Sequence, residues 1–243
     1  MKKIQTYLLF SAFAFLASCK QETEKPKVIY EENKSASEHQ VKRDSSQIKI
    51  ADLPINMEGT RYLIHAIGDV RVSAERSSYG SSKTNSVSYA LSNYNRFELT
   101  GYFENLKFQH VDSTALRPLT DKVIQIQTAT YLNTIADRSK KQILVYALVD
   151  SDTNRDSKID SNDIKALYIS NFNGTKFTKL SPELQELIDW SVIDVQNRLY
   201  FRTIEDNNKN GAFDKNDKVH YYFVNLLARE WKAEQYEPIE IVK

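Results

Sequence analysis

Beyond residue 48 the chain alternates between short apolar runs and short polar turns. Runs such as "RYLIHAI" (61–67), "QILVYALV" (142–149) and "VHYYFVNL" (219–226) are rich in β-branched and aromatic residues. Asn, Asp, Ser and Gly bound these runs, a pattern that is typical of β-strands. We therefore predict an all-β, antiparallel fold for a single domain that spans residues 48–243.

Two runs depart from simple alternation. "QILVYALV" is apolar at odd and even positions alike, which predicts a strand that is covered on both faces. "SPELQELIDW" (181–190) places Ser181 before two glutamates, which predicts one helical turn capped by that serine. The expected domain is therefore built of strands, with one helical turn.

Part of the chain repeats itself without a gap. Residues 145–177 align with residues 199–231 at an offset of 54, and a fainter similarity joins 106–120 to 167–181. Such self-similarity indicates a repeated structural unit. The units predicted from it span about 105–165, 166–219 and 220–243.

Each unit resembles a propeller blade. A unit of 54 residues exceeds an ordinary blade of roughly 40–45 residues, but without its twelve-residue acidic loop it retains 42. The stretch "LYISNFNGTKFTKLSP" (167–182) between strands resembles blades of TolB-like, WD-repeat-related propellers, which implies four-stranded antiparallel units. Propellers close with about four to eight blades, and this domain has residues for three or four. Residues 49–104 could form a degenerate blade, the sheets could stack openly or as a β-sandwich, or chains could associate into a ring.

Two repeats carry an acidic loop whose oxygen-bearing residues are spaced as in a calcium-binding loop. Calcium takes six to eight oxygen ligands, and a twelve-residue loop supplies them from positions 1, 3, 5, 7, 9 and 12. In the first loop (152–163) these are Asp152, Asn154, Asp156, the carbonyl of Lys158, Asp160 and Asp163. In the second loop (206–217) they are Asp206, Asn208, Asn210, the carbonyl of Ala212, Asp214 and Asp217. We predict two calcium sites; the alternative is that Asp and Asn serve here only as turn formers.

These loops resemble those of EF-hands and, more closely, those of dockerins. Position 6, where the chain turns with positive φ, is Gly211 in the second loop and Ser157 in the first. Position 12 is Asp rather than Glu, and the flanking segments are predicted strands, so the opening of a helix pair is not expected. We expect weak affinity, of the order of 10⁻⁴–10⁻³ M, as in extracellular modules. The neighbouring Asp150 and Glu205 are expected to be solvated.

The first twenty residues have the layout of a bacterial export signal. Two lysines precede an apolar run that ends at "LASC" (16–19), and this run is too short to span a membrane as a helix. "LASC" resembles the lipobox of bacterial lipoproteins, and the acidic residues that follow resemble those of Bacteroidetes-type outer-membrane lipoproteins. The resemblance implies removal of residues 1–18 and lipid on Cys19. It would place the protein in the cell envelope on an outer-membrane lipid anchor, periplasmic or surface-exposed.

Residues 19–47 are rich in Lys, Glu, Ser and Gln and poor in large apolar side chains, which predicts a disordered tether. Loss of Lys2 and Lys3 with the signal would leave 31 basic residues against 32 acidic ones, a net charge of −1. A nucleic-acid partner is not expected, because such proteins carry a basic surplus. Cys19 is the only cysteine, which excludes disulfides and cysteine-based sites within the domain.

The sequence carries no recognisable catalytic signature. It lacks the G-x-S-x-G elbow, the phosphate loop and the HExxH motif. We therefore expect a non-enzymatic binding or structural module, stabilised by calcium, whose partner is the membrane through Cys19 and a protein or glycan. The alternative is an envelope hydrolase in which calcium is structural.

Overall fold

The computed structural model describes residues 26–30, 49–69, 71–74, 85–88 and 92–239. The predicted signal peptide, Cys19 and most of the predicted tether lie outside the described residues. Strands account for about half of the described residues, which also contain one α-helix and one 3-10 turn. The helix is α1 (Asn133–Ser139), and the 3-10 turn spans Asp194–Gln196.

Seventeen strands lie within the described residues. They are β1 (Lys49–Ala51), β2 (Ile55–Asn56), β3 (Tyr62–Asp69), β4 (Arg71–Ala74), β5 (Asn85–Ser88), β6 (Ser92–Asn95), β7 (Glu98–Phe103), β8 (Asn105–His110), β9 (Arg117–Pro118), β10 (Gln125–Tyr131), β11 (Ile143–Val149), β12 (Lys165–Asn171), β13 (Thr178–Lys179), β14 (Gln185–Ile193), β15 (Arg198–Glu205), β16 (Lys218–Asn225) and β17 (Glu234–Tyr236).

The strands form antiparallel sheets. A five-stranded sheet has the order β1-β3-β8-β9, with β2 also paired to β3. A six-stranded sheet has the order β13-β12-β11-β10-β7-β6, and a four-stranded sheet has the order β14-β15-β16-β17. Strands β4 and β5 pair with each other. The prediction of an all-β, antiparallel fold is confirmed, and none of the described sheets closes into a barrel.

The six-stranded sheet is the middle of three layers. On β11, Leu144, Tyr146 and Leu148 pack in one core, whereas the residues between them pack in a second core. The first core also contains side chains of β3 and β8, and the second contains side chains of β15 and β16. Every residue of β11 is buried, so the prediction that this strand is covered on both faces is confirmed.

The helical turn predicted at residues 181–190 is wrong. Residues 185–193 form β14, which pairs along its length with β15. The hydroxyl of Ser181 accepts a hydrogen bond from the N–H of Leu167 (3.0 Å) and therefore caps no helix. The α-helix lies instead at α1, which has no side-chain cap at its start and buries Ile135 and Ala136.

Candidate metal-binding loops and a basic cleft

The two acidic loops occupy equivalent positions in neighbouring sheets. The first loop connects β11 to β12, and the second connects β15 to β16. In each case the joined strands are the second and third of four consecutive strands in one sheet. The two loops therefore connect equivalent pairs of strands in the two sheets.

Each loop is folded by hydrogen bonds from its own backbone to its Asp and Asn side chains. Asp152 accepts from the N–H groups of Asp156 (3.1 Å) and Ser157 (2.8 Å). In the second loop, Asp206 accepts from the two corresponding N–H groups at 3.2 and 2.7 Å. The side chains at loop positions 3, 5, 9 and 12 likewise accept matching bonds in both loops.

The backbone of the two loops also turns at the same places. Position 4 has positive φ in both, at Arg155 (60°) and Lys209 (56°). Position 6 does so too, at Ser157 (69°) and Gly211 (81°). Glycine adopts this conformation without steric cost, whereas serine is strained in it. The two loops therefore follow one backbone path, although only the second has the favoured residue at position 6.

One aspartate of each loop is buried. Asp163 is 1 % exposed and Asp206 is 4 % exposed. Within the described part of the chain, neither carboxyl group takes part in an ion pair. Burial raises the pKa of Asp163 and the charge of Asp152 adds to this, whereas three backbone N–H donors act in the opposite direction. Among the described residues, the partners of these two buried carboxyl groups are hydrogen-bond donors rather than cations.

The donor chemistry of the loops suits a hard cation. All predicted ligands offer carboxylate, amide or carbonyl oxygens, which calcium prefers. Asp152 and Asn154 both accept from the N–H of Asp156, and Asp206 and Asn208 share a donor in the same way. Across residues 26–30 and 49–239, as far as they are described, no three His, Cys, Asp or Glu side chains form a group that could hold a metal. The shared donors thus bring Asp152 together with Asn154, and Asp206 together with Asn208.

Residues 26–30, which we call the N-terminal segment, lie between the two loops. The N–H groups of Lys27 and Val28 donate to the carbonyl of Gly211 (2.7 and 3.2 Å). The N–H of Ile29 donates to the carbonyl of Thr153 in the first loop (2.9 Å). Val28 is 3 % exposed. This segment was expected to belong to the disordered tether, and instead it joins the two loops because Val28 has a buried position there.

Two side chains of the N-terminal segment strengthen this junction. Tyr30 is hydrogen-bonded to Asp206, and burial together with this carboxylate raises the pKa of Tyr30 to about 12. The ammonium of Lys27 pairs with Glu186 (3.1 Å). The other oxygen of Glu186 accepts the N–H of Lys165, just beyond the first loop (2.8 Å). The segment is therefore fastened to the first loop, the second loop and β14.

Asp150 and Glu205, which precede the loops, both have protein partners. Asp150 is bonded to the ammonium of Lys179 (2.7 Å) and to the hydroxyl of Tyr168 (2.7 Å). Burial alone would raise the pKa of Asp150, but the bonds from Lys179 and Tyr168 and the charge of Lys179 outweigh it and lower the pKa. Glu205 is half-exposed and bonds to Nε2 of His220 (2.7 Å). The expectation that Asp150 is solvated is wrong, because its side chain is only 12 % exposed.

Asp150→Asn is expected to lower the free energy of unfolding by about 2 kcal/mol, since it removes the buried one of the two carboxylates that pair with the largely buried ammonium of Lys179. Glu183→Gln is the matched control. Glu183 also contacts Lys179 (2.7 Å) but is 76 % exposed, so its loss should amount to less than about 0.5 kcal/mol. Urea denaturation measures both variants, and equal losses would contradict the structural role of Asp150.

A second feature is a cleft of about 560 Å³ where three turns meet. These turns comprise residues 140–142 after α1, residues 171–176 from the end of β12 toward β13, and residues 227–231 after β16. Of the described residues that line the cleft, none is acidic. Its basic residues are Lys140, Lys141, Lys176 and Arg229, and we call this feature the basic cleft. No local sequence pattern predicts this cleft, because its cations come from three separate segments.

None of the helices in the described ranges is long and apolar enough to cross a membrane. No family model matches this chain, and the comparisons with curated proteins and with solved structures also gave no match.

Proposed function

We propose that this protein is a lipid-anchored module of the bacterial cell envelope that is stabilised by two calcium ions and acts by binding rather than by catalysis. The observation that carries this proposal is the pair of buried carboxylates, Asp163 and Asp206, in loops of matching fold. Burying a carboxylate without a cationic partner costs several kcal/mol even after relaxation. The backbone N–H donors of the loops offset part of this cost and leave the negative charge in place.

Calcium would neutralise this charge. The residues that would hold it are the six predicted ligands of each loop, including the carbonyls of Lys158 and Ala212. The ion would supply charge compensation and fix the loop backbone, and it would take no part in a reaction. Sites with a dissociation constant of the order of 10⁻⁴–10⁻³ M would be occupied at the millimolar calcium concentrations found outside cells.

We further infer that the sheets are blade-like units. Strands β10 to β13 and strands β14 to β17 are each four consecutive antiparallel strands, with the acidic loop after the second strand. This order supports the resemblance to propeller blades. The three face-to-face layers also support the alternative of an open stack, in which no ring is completed.

The position of the N-terminal segment bears on the proposed anchor. Cys19 precedes Pro26 by seven residues, so a lipid on Cys19 would hold the segment within about 25 Å of the membrane even if those residues were fully extended. Because the segment contacts both loops, the loops would face the bilayer. The opposite side of the domain would then be available to a partner.

The basic cleft favours binding over the alternative of a hydrolase. A glycoside hydrolase of the usual kind needs two carboxyl groups beside the scissile bond. The described residues that line the basic cleft supply lysine, arginine, amide and aromatic groups and no carboxyl group. Such a lining can hold a ligand, but it offers no pair of acids for this type of hydrolysis.

Calcium titration of the mature chain (residues 19–243 with Cys19→Ser, which prevents lipidation) tests the proposal. Isothermal titration is expected to give two sites per chain, with dissociation constants of about 10⁻⁴–10⁻³ M. Asp206→Ala should leave one site, because only the second loop loses its first ligand. Absence of binding at about 10 mM calcium, or an unchanged stoichiometry in the variant, would contradict the assignment of ligands.

A further inference from the structure

We propose that the basic cleft binds a small anionic ligand of saccharide size that carries two or more carboxylate, sulfate or phosphate groups. This inference rests on the proposed role as a binding module, but it does not depend on calcium. The cleft volume of about 560 Å³ falls within the range of roughly 300–1,000 Å³ that small-molecule sites occupy.

The charge of the cleft differs from that of the whole chain. The sequence has 33 basic and 32 acidic residues, close to balance. Four basic residues and no acidic ones line this one concavity among the described residues. A concave wall of low polarisability concentrates the field of such charges and attracts counter-ions of opposite sign. A ligand with several negative groups would relieve the mutual repulsion of the four cations.

Three of the four cations donate to backbone carbonyls. The ammonium of Lys140 donates to the carbonyl of Asp137 (3.0 Å), and the other two donate to the turn 227–229. The ammonium of Lys141 donates to the carbonyls of Leu227 and Ala228, and the ammonium of Lys176 donates to the carbonyl of Arg229 (3.2 Å). An ammonium group has three N–H donors, so each lysine retains at least one for a ligand. The bonds of Lys141 and Lys176 also fix these two charges at the turn 227–229, and a ligand would therefore meet a partly organised site.

Lysine occupies two positions of the cleft that favour glycine. Lys140 has φ 62° and Lys176 has φ 55°, both in the left-handed region. A residue with a side chain is strained there, and such strain is frequent at binding sites, where the side chain has a use. Lysine at these two positions therefore places two charges beside the cleft at some cost in backbone strain.

The remaining lining indicates a polar ligand. Gln142 and Asn173 place side-chain amides in the wall. The Gln142 nitrogen donates to the carbonyl of Gly59 and the Asn173 oxygen accepts from Thr175, so the Gln142 oxygen and the Asn173 nitrogen are the atoms to which a ligand hydroxyl group can bond.

Trp231 is 9 % exposed, and its indole N–H donates to the carbonyl of Leu226 (3.2 Å). Its ring is therefore part of the cleft wall and offers no open face on which a sugar ring could stack. Lys140, Lys176 and Arg229 are exposed, and they surround a concave site rather than a flat face of the kind that would suit a membrane surface. A soluble acidic or phosphorylated saccharide fits this combination.

Isothermal titration of the mature chain, with Cys19→Ser, provides the test. The probes are a sulfated heparin disaccharide, digalacturonate and glucose 1,6-bisphosphate, with maltose as the uncharged control. At least one anion is expected to bind with higher affinity than maltose. Its affinity should fall about 5-fold or more when salt is raised from about 50 to 500 mM. Which probe binds best identifies the anionic group.

Arg229→Glu should weaken that binding about 10-fold or more, since it reverses a charge in the cleft. Lys232→Glu makes the same charge change three residues further along the chain, on an exposed side chain outside the cleft lining. It should change affinity less than about 2-fold. Equal effects of the two variants, or no binding by any of the three anions, would overturn the proposal.

Lys140→Gly and Lys176→Gly separate binding from folding. Each variant removes one charge of the cleft, so the affinity for the anion should fall. Each also removes the strain of a side chain at a left-handed backbone position, so the melting temperature should stay the same or rise. Unchanged affinity in both variants would overturn the proposal. Titration with and without calcium separates the two hypotheses, because anion binding that persists in chelator supports the cleft whatever the loops bind.

Discussion

Removal of calcium is expected to lower the melting temperature of the mature protein by about 10 °C. At about 10 mM calcium, a site with a dissociation constant of 10⁻⁴–10⁻³ M adds about 1.4–2.7 kcal/mol to the free energy of unfolding. Two sites together add about 3–5 kcal/mol, and each kcal/mol shifts the melting temperature of a domain of this size by about 2–4 °C. Calorimetry with calcium and with excess chelator measures the difference.

Asp152→Ala combined with Asp206→Ala should abolish this difference. Both changes remove the first ligand of a loop, and both also remove acceptors for backbone N–H groups. The double variant is therefore expected to be less stable than the native chain even in chelator, by about 2–4 kcal/mol in total. The measured quantity is the calcium-dependent increment in melting temperature, which should fall to zero.

The control for this experiment removes the same charge elsewhere. Asp112→Ala with Asp121→Ala takes away two exposed carboxylates that lie outside both loops. It should leave the calcium-dependent increment intact and change stability by less than about 1 kcal/mol. Loss of the increment in this control, or a native chain that melts at one temperature with and without calcium, would rule out specific calcium binding by the loops.

The strands could be predicted because their burial pattern is local. β11 is apolar at every position, and each of its faces lies against a different core. The error at 181–190 has a tertiary cause. Ser181 and the glutamates after it satisfy the local rules for a helix start, but the hydroxyl of Ser181 is taken by the N–H of Leu167, and β15 pairs with residues 185–193. α1 was missed because it is seven residues long and has no side-chain cap.

The path of the two acidic loops could be predicted because their Asp and Asn side chains bond to backbone groups at most ten residues away. The junction with the N-terminal segment could not. The hydroxyl of Thr153 donates to the carbonyl of Lys27 across 126 residues, and no local pattern encodes such a contact. The one signal was "VIY" (28–30), an apolar triplet within an otherwise charged stretch. The basic cleft has the same property, since it assembles residues from three separate turns.

Gly211→Ala is expected to lower the free energy of unfolding by about 3 kcal/mol, through two separable effects. The first is backbone strain, because Gly211 has φ +81° and alanine is disfavoured there by about 1 kcal/mol. The second is displacement of the N-terminal segment. A Cβ at position 211 would lie 2.4 Å from the carbonyl oxygen of Val28 and 2.7 Å from Cβ of Pro26. Neither contact is tolerable, so the segment must leave and expose Val28.

Gly59→Ala isolates the first effect. Gly59 has φ +82°, and a Cβ there meets no atom within 4 Å, so this variant should lose only about 1 kcal/mol. Trypsin reports the second effect, because the Lys27–Val28 bond is held against the second loop in the native chain. Cleavage at this bond should accelerate about 10-fold or more in Gly211→Ala and stay at the native rate in Gly59→Ala. If both variants lose equal stability and are cleaved equally fast, then Gly211 does not hold the segment, and the loops are joined by some other contact.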